Sequence, residues 1–219
     1  MKGQIIDVST WERRGIYEYF GTFANPCYGF NVVMDVTEVL SVSHEKKTSF
    51  FINLLYLVYL GLESVPEMRE RIVRGEVIRY DEINPAFTVM TNLGDFDNGR
   101  AMATKDYSLF YQSVHQEIET IKKETHLRPG YNDSQDMDEY YITCVPWLDF
   151  ASMTHPLPDH DPSNSSVPRV CWGKYVKKGE RYVLTLNITV SHMLVDGKHL
   201  SEAFMAIQKN CDEARKWIR

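Results

Sequence analysis

The chain has 219 residues, 43% of them hydrophobic, which is enough for one substantial core. Its 24 basic residues against 30 acidic ones leave a formal net charge of -6, so the basic footprint of a general nucleic-acid binder is missing. Four cysteines without CxxC spacing (Cys27, Cys144, Cys171 and Cys211), and a start, MKGQIIDVST, without a secretory h-region, read as a reduced, cytoplasmic protein.

In chain order, Ser9 to Glu12 has the form of a capping box, and Trp11, Ile16, Tyr19, Phe20 and Phe23 follow at helical spacing, so a helix is expected from near Thr10. Phe30 to Val36 reads as a strand. Phe50 to Val65 reads as a buried core helix, because its apolar run is shorter than the roughly 20 residues a membrane span needs. Arg71 to Tyr80 and Phe87 to Met90 read as strands with a turn at Asn84 and Pro85 between them. Tyr107, Phe110, Val114, Ile118 and Ile121 mark an amphipathic helix. The polar segment Arg128 to Glu139 ends it.

Tyr140 to Val145 is the next strand, Thr154 to Val167 reads as an exposed loop, and Arg169 to Tyr175 resumes strand character. In Tyr182 to His192, Tyr182, Leu184, Leu186, Ile188 and Val190 alternate with Val183, Thr185, Asn187, Thr189 and Ser191, the pattern of a half-buried strand. Its parity carries His192 to the side of the leucines. After Gly197, Leu200, Phe204, Ile207, Cys211, Ala214 and Ile218 give a C-terminal helix. The expectation is an α+β sandwich, a mixed sheet covered by helices, formed as one domain over residues 1–219.

His192-Met193-Leu194-Val195-Asp196-Gly197 places a histidine at the end of a strand, an aspartate four residues later and a glycine before a helix. A buried imidazole kept neutral by desolvation can accept a proton, Gly197 would allow a sharp turn, and Asp196 would meet the helix dipole. On spacing alone a satisfied core histidine followed by an ordinary Asp-Gly turn is the better reading, and Arg13 alone reads as a solvated helix charge. His155, Asp159, His160 and Asp161 carry ligand-type atoms, but the prolines and serines around them favour a plain loop, and no metal is expected.

The H-x-x-x-D-G pattern resembles the signature of CoA-dependent acyltransferases. The other landmarks are similar to the chloramphenicol acetyltransferase family: Trp11-Glu12-Arg13-Arg14 with Tyr17 and Phe20, Asn25-Pro26-Cys27, Phe87-Thr88-Val89, Val145-Pro146-Trp147 and Gly173-Lys174-Tyr175, in that order. The resemblance implies an O-acetyltransferase that uses acetyl-CoA as co-substrate and chloramphenicol as acceptor, inactivating the antibiotic without an acyl-enzyme or a metal. His192 would be the general base, Asp196 and Arg13 a structural ion pair, and Thr143 the oxyanion donor where the family has serine. Trp147, Lys174 and Tyr175 would meet CoA, and Phe20, Cys27, Phe96 and Cys171 the acceptor.

Met153 to Ser166 departs most, being polar where the family is aromatic, so a different hydroxyl or amine acceptor, or a catalytically silent binding role, stays open beside chloramphenicol. A dihydrolipoyl acyltransferase core is disfavoured by the absence of a lipoyl module and Ala/Pro-rich linker, and a condensation domain by length. The resemblance also implies a homotrimer with active sites between subunits. Neither nucleic acid nor membrane is an expected partner.

Overall fold

A computed structural model describes residues 3–123, 136–157 and 162–219. In chain order its elements are β1 (Gly3–Ile6), α1 (Arg14–Phe20), β2 (Cys27–Asp35), α2 (Thr37–Lys46), α3 (Phe50–Glu63), a 3-10 turn (Pro66–Arg69), β3 (Glu70–Val73), β4 (Glu76–Tyr80), β5 (Asn84–Met90), β6 (Phe96–Arg100) and α4 (Tyr107–Lys123). Then follow β7 (Glu139–Val145), α5 (Pro162–Ser165), β8 (Arg169–Gly173), β9 (Val176–Lys178), β10 (Arg181–Ser191), α6 (Gly197–Asp212) and α7 (Ala214–Trp217). The fold is α+β. A seven-stranded mixed sheet runs β2-β10-β8-β7-β5-β6 with β9 paired to β10, and a three-stranded sheet runs β1-β4-β3. Among the described residues no helix is long and apolar enough to cross a membrane.

The register of the large sheet sorts its two faces. Phe87, Ile142, Val170, Ile188 and Phe30 form one cross-strand row, and all but Phe30 are buried against the helices. One residue along the strands, Asn98 pairs with Thr88, whose hydroxyl meets that of Thr143. The row continues through Cys171 and Asn187 to Asn31 on the opposite face. That face is polar because strand residues alternate between faces.

The core helix α3 is buried from Ile52 to Glu63. Ser49 caps it by accepting from Ile52 N–H at 3.4 Å, and Phe51 packs its ring 5.6 Å from that of Trp172 on β8. A Cβ on Gly61 would stand 2.4 Å from Ile207 Cγ1, so glycine is what lets α3 and α6 approach.

Several expectations change. The first helix begins at Arg14, because Ser9 donates N–H and O–H to Asp7 Oδ1 and closes a local turn there instead of capping. Arg71 to Tyr80 is a hairpin, broken by left-handed Arg74 and Gly75 (φ 54° and 85°), the backbone a two-residue turn needs. Asn84 and Pro85 lie inside β5, where proline is tolerated near a strand's beginning. Helix α2 was not expected; Asp35 Oδ1 accepts from Thr37 N–H at 2.9 Å at its start.

Central strand β10 is buried on both faces, not half-buried, since Thr185, Asn187 and Ser191 are covered as fully as the leucines. The loop expected at Thr154 to Val167 contains α5, and its residues 158–161 lie outside the described residues. Most of the polar segment Arg128 to Glu139 lies outside them too.

Buried Glu63 accepts a hydrogen bond from Tyr140 O–H at 2.8 Å, and burial pushes its carboxyl up to about 7, against the pull of Tyr140, Arg69 and Arg71. A carboxyl raised by folding favours the native state fully below its unfolded value and loses that contribution as pH climbs through about 7. Relative to Glu63→Gln, which keeps an oxygen for Tyr140, the native chain should lose on the order of 2–3 kcal/mol between pH 5 and pH 8. Urea unfolding at the two pH values measures this; equal slopes in both proteins would refute it.

Candidate active site

Strand β10 ends at Ser191, and the chain turns at once, with Leu194 and Val195 N–H both donating to Ser191 O. His192 leads this turn. Its N–H donates to Pro26 O at 2.9 Å, and its ring stacks on Phe20 with centroids 3.9 Å apart and planes 10° apart, with Tyr28 4.5 Å away. Tyr28 O–H donates to Val195 O at 3.2 Å. The imidazole lies on the Tyr28 side, as strand parity predicts, but its side chain is 31% exposed, so the argument from burial does not hold. Nδ1 is sealed, 3.5 Å from Asp196 Oδ1 and without a hydrogen bond, whereas Nε2 is open to solvent.

Asp196 is the N-cap of α6, and Gly197 is the first helical residue. Gly197 has no left-handed φ, and an added Cβ would meet only Phe30 Cζ at 3.9 Å, so the sharp turn belongs to residues 192–194 and not to the glycine. The Asp196 carboxylate is held bidentately by Arg13, through Nη1 and through Nη2 at 3.0 Å. The hydrogen bond from Arg13 keeps the carboxyl below its ordinary value. Asp196 N–H also donates to His199 Nδ1 at 3.3 Å, completing a reciprocal capping box whose His199 Nε2 is 3.9 Å from Glu67 Oε1. His199 was not singled out in the sequence; an Asp-x-x-His at a helix start was the available signal.

Thr143 lies elsewhere, in β7, its Oγ1 2.8 Å from Thr88 Oγ1. It sits between two cavities that share both threonines. The larger, about 780 Å³, has Phe51, Met90 and Trp172 in its wall and also takes in Trp147, Lys174, Tyr175 and Phe96. The smaller, about 500 Å³, adds Asn98, His155, Leu157 and Arg169 to the threonines.

The expected acceptor residues therefore do not gather at one place in a single chain. Phe20 and Cys27 stand at the His192 end, Phe96 in the larger cavity, and Cys171 in the row of Thr143. Burial raises both thiols, Cys171 up to about 12, so neither is poised as a nucleophile. Of the loop once weighed as a metal site, His155 bonds Asn187, and Asp159, His160 and Asp161 lie outside the described residues. Lys122 in the larger cavity and Thr88 beside Thr143 were not assigned roles in the sequence; for Thr88 only the β5–β7 register discloses the contact.

Residues 1–208 match the family model described as chloramphenicol acetyltransferase. A chloramphenicol acetyltransferase of Proteus mirabilis is 24% identical over 214 residues, 97% of this chain and 96% of the relative. A solved chloramphenicol acetyltransferase structure superposes with a TM-score of 0.87 at 26% identity, over 94% of this chain and 98% of that one. A dihydrolipoamide acetyltransferase of Azotobacter vinelandii shares the fold, with a TM-score of 0.66 at 15% identity over 94% and 89% of the two chains.

The Arg13–Asp196 tie should be measurable as coupling. Arg13→Ala and Asp196→Ala should each cost about 1–3 kcal/mol, since each strands a half-buried charge, and the double variant should cost clearly less than their sum. Because the Asp196 carboxyl is depressed, the coupling holds above its ordinary value of 3.8 and fades only as pH falls below that. Thermal melts of the four proteins at pH 7 decide it, strict additivity being the contrary result.

Proposed function

Because this chain belongs to the chloramphenicol acetyltransferase family, whose model matches residues 1–208, we propose that it moves the acetyl group of acetyl-CoA to a hydroxyl of chloramphenicol, with His192 as general base. Membership makes it an acyltransferase with CoA and a small-molecule acceptor as its partners. The proposal extends to the acceptor, the residues and the assembly, and to the cytoplasm as its compartment.

The observation that carries the mechanism is the pair of differently equipped ends. At one, an imidazole fixed by Phe20, Pro26 and the Asp196 loop leaves Nε2 open; at the other, Thr143 joins two cavities. The larger cavity suits the CoA arm: an apolar wall for pantetheine, and Lys122 and Lys174 ammoniums for phosphate. Nε2 of His192 takes the proton of the acceptor hydroxyl, and the oxygen attacks the thioester carbonyl. The Thr143 hydroxyl donates to the oxyanion, and the C–S bond then breaks, the thiolate of CoA recovering the proton from His192. For Thr143 to donate to the oxyanion it must accept from the Thr88 hydroxyl, so Thr88 as donor sets the direction of that proton. Asp196 and Arg13 hold the turn and take no proton.

Within one chain these ends cannot meet. Thr143 and Asn187 share a row two strands apart, and His192 lies five residues further on, just past the end of β10. At ~3.3 Å per residue and ~4.8 Å per strand, the two Cα atoms are roughly 19 Å apart. This separation favours a homotrimer in which His192 of one subunit faces Thr143 of the next.

A second reading is favoured by the smaller cavity. Asn98, His155 and Arg169 make its wall more polar than an aryl acceptor requires, which supports a different hydroxylated or amine acceptor on the same machinery.

His192→Ala should lower CoA release at least about 100-fold, and Thr143→Ala by about 100- to 1000-fold. Co-refolding the two inactive variants should restore part of the activity, since some interfaces regain both groups. Unchanged turnover of His192→Ala sinks the base assignment; no recovery on mixing sinks the shared site. Turnover of other alcohols or amines without turnover of chloramphenicol replaces the acceptor.

A further inference from the structure

The segment from Ser152 to Leu157 lies across the polar face of the large sheet and brings His155 to the smaller cavity beside Thr143. Unambiguous main-chain groups fix that Nε2 of this imidazole is the hydrogen-bond donor to Asn187. Met153 N–H can only donate, and it donates to Asn31 Oδ1 at 3.3 Å, so that oxygen is an acceptor. Phe30 O can only accept. Asn187 Nδ2 therefore faces both, at 3.0 Å from Asn31 Oδ1 and 3.4 Å from Phe30 O, which turns Asn187 Oδ1 toward Thr189 Oγ1 and His155 Nε2.

Asn187 Oδ1 accepts from both, at 3.1 Å and 3.0 Å, so Nε2 of His155 carries the proton. Burial, aided by the Arg169 guanidinium and opposed by the Asn187 hydrogen bond, holds the imidazole below its ordinary value, which favours the neutral ring. A neutral ring protonated at Nε2 presents a bare lone pair at Nδ1.

The larger cavity is taken by the CoA arm on the reading given above, and the inference rests on that reading. The smaller one, on the other side of Thr88 and Thr143, is then left for the acceptor. We propose that His155 is a specificity-determining residue. The acceptor carries, besides the hydroxyl that is acetylated, a second hydrogen-bond donor, a hydroxyl or an amide N–H, which His155 Nδ1 receives. A ligand that displaces water from the cavity and offers Nδ1 no donor leaves that acceptor unpaired, which costs binding, so the site selects against plain alcohols and against ethers of the same shape. Asn187, Asn31 and Thr189 act through His155, fixing which nitrogen faces the ligand.

Three acceptors separate this from size or hydrophobicity: an aryl 1,3-diol, its deoxy counterpart that keeps only the primary hydroxyl, and the methyl ether at its secondary oxygen. CoA release should favour the diol over both others by about tenfold or more in kcat/KM. In His155→Leu that ratio should collapse toward one, and in His155→Gln, whose amide can donate to Asn187 and still present an acceptor oxygen, it should partly return. Calorimetric binding of the same three ligands to the whole oligomer reads the preference without turnover. A binding preference with no CoA release from any ligand would count against acetyl transfer while upholding His155. Equal binding of diol and ether by the native protein, or a full preference kept by His155→Leu, overturns the inference.

Discussion

The rest of the structure depends on one constraint: β10 is a central strand that must be covered on both faces. Its leucines and isoleucine alternate with threonines and asparagine, so one face closes with hydrocarbon and the other only with paired polar groups. Helices α3 and α6 supply the first cover. On the second face, the segment from Ser152 to Leu157 contributes polar cover, with Met153 N–H on Asn31 and His155 on Asn187. Asn187, 2% exposed, makes the chemistry of that cover explicit, since its amide is used by Asn31, Phe30, Thr189 and His155 together. What looks in the sequence like the loss of an aromatic pocket lining is, in the fold, the surface that a strand of this composition requires.

The same strand delivers His192, and the turn after it is restrained from three directions. Pro26 O holds the main chain, Phe20 and Tyr28 hold the ring, and Arg13 and His199 hold Asp196. Arg13 immediately precedes α1, the helix that ends in Phe20, so one short stretch supplies both the charge that anchors the loop and the ring under the imidazole. The reciprocal cap at His199 also brings its Nε2 within 3.9 Å of Glu67 Oε1 in the 3-10 turn before the small sheet. A base needs fixed direction more than it needs burial, and these contacts provide direction while Nε2 stays open.

Much of this was legible in the sequence wherever a pattern is local. The alternation from Tyr182 to Val190 gave the faces of β10, the i, i+3, i+4 spacing gave α4 and α6, and the ordered landmarks led to the acyltransferase fold. Local patterns failed where one signal hid another: the Arg74-Gly75 turn inside an apolar run, the serine-rich α2, and Ser9 satisfied by Asp7. The contacts between Thr88 and Thr143 and between His155 and Asn187 join residues 55 and 32 positions apart; strand register decides the first, and the path of the non-strand segment 152–157 decides the second. His192 looked buried because parity was extended past the strand's end, where the sheet no longer covers it.

The exposure of His192 and the polar wall near Thr143 belong to one arrangement. In one chain, the His192 imidazole rests on Phe20 and Tyr28 and lines neither of the two cavities, whereas Thr143 lines both. Phe20 and Cys27 are stranded at the first end, Phe96 and Cys171 at the second. On the proposed assembly, each set is half of a pocket. A symmetric assembly that brings the first end of one subunit against the second end of its neighbour would cover the exposed edge of the imidazole and exclude water from the Thr143 junction in the same step. Under that assembly the desolvation expected of a catalytic base comes from the neighbour, and the fold itself need only hold the ring still.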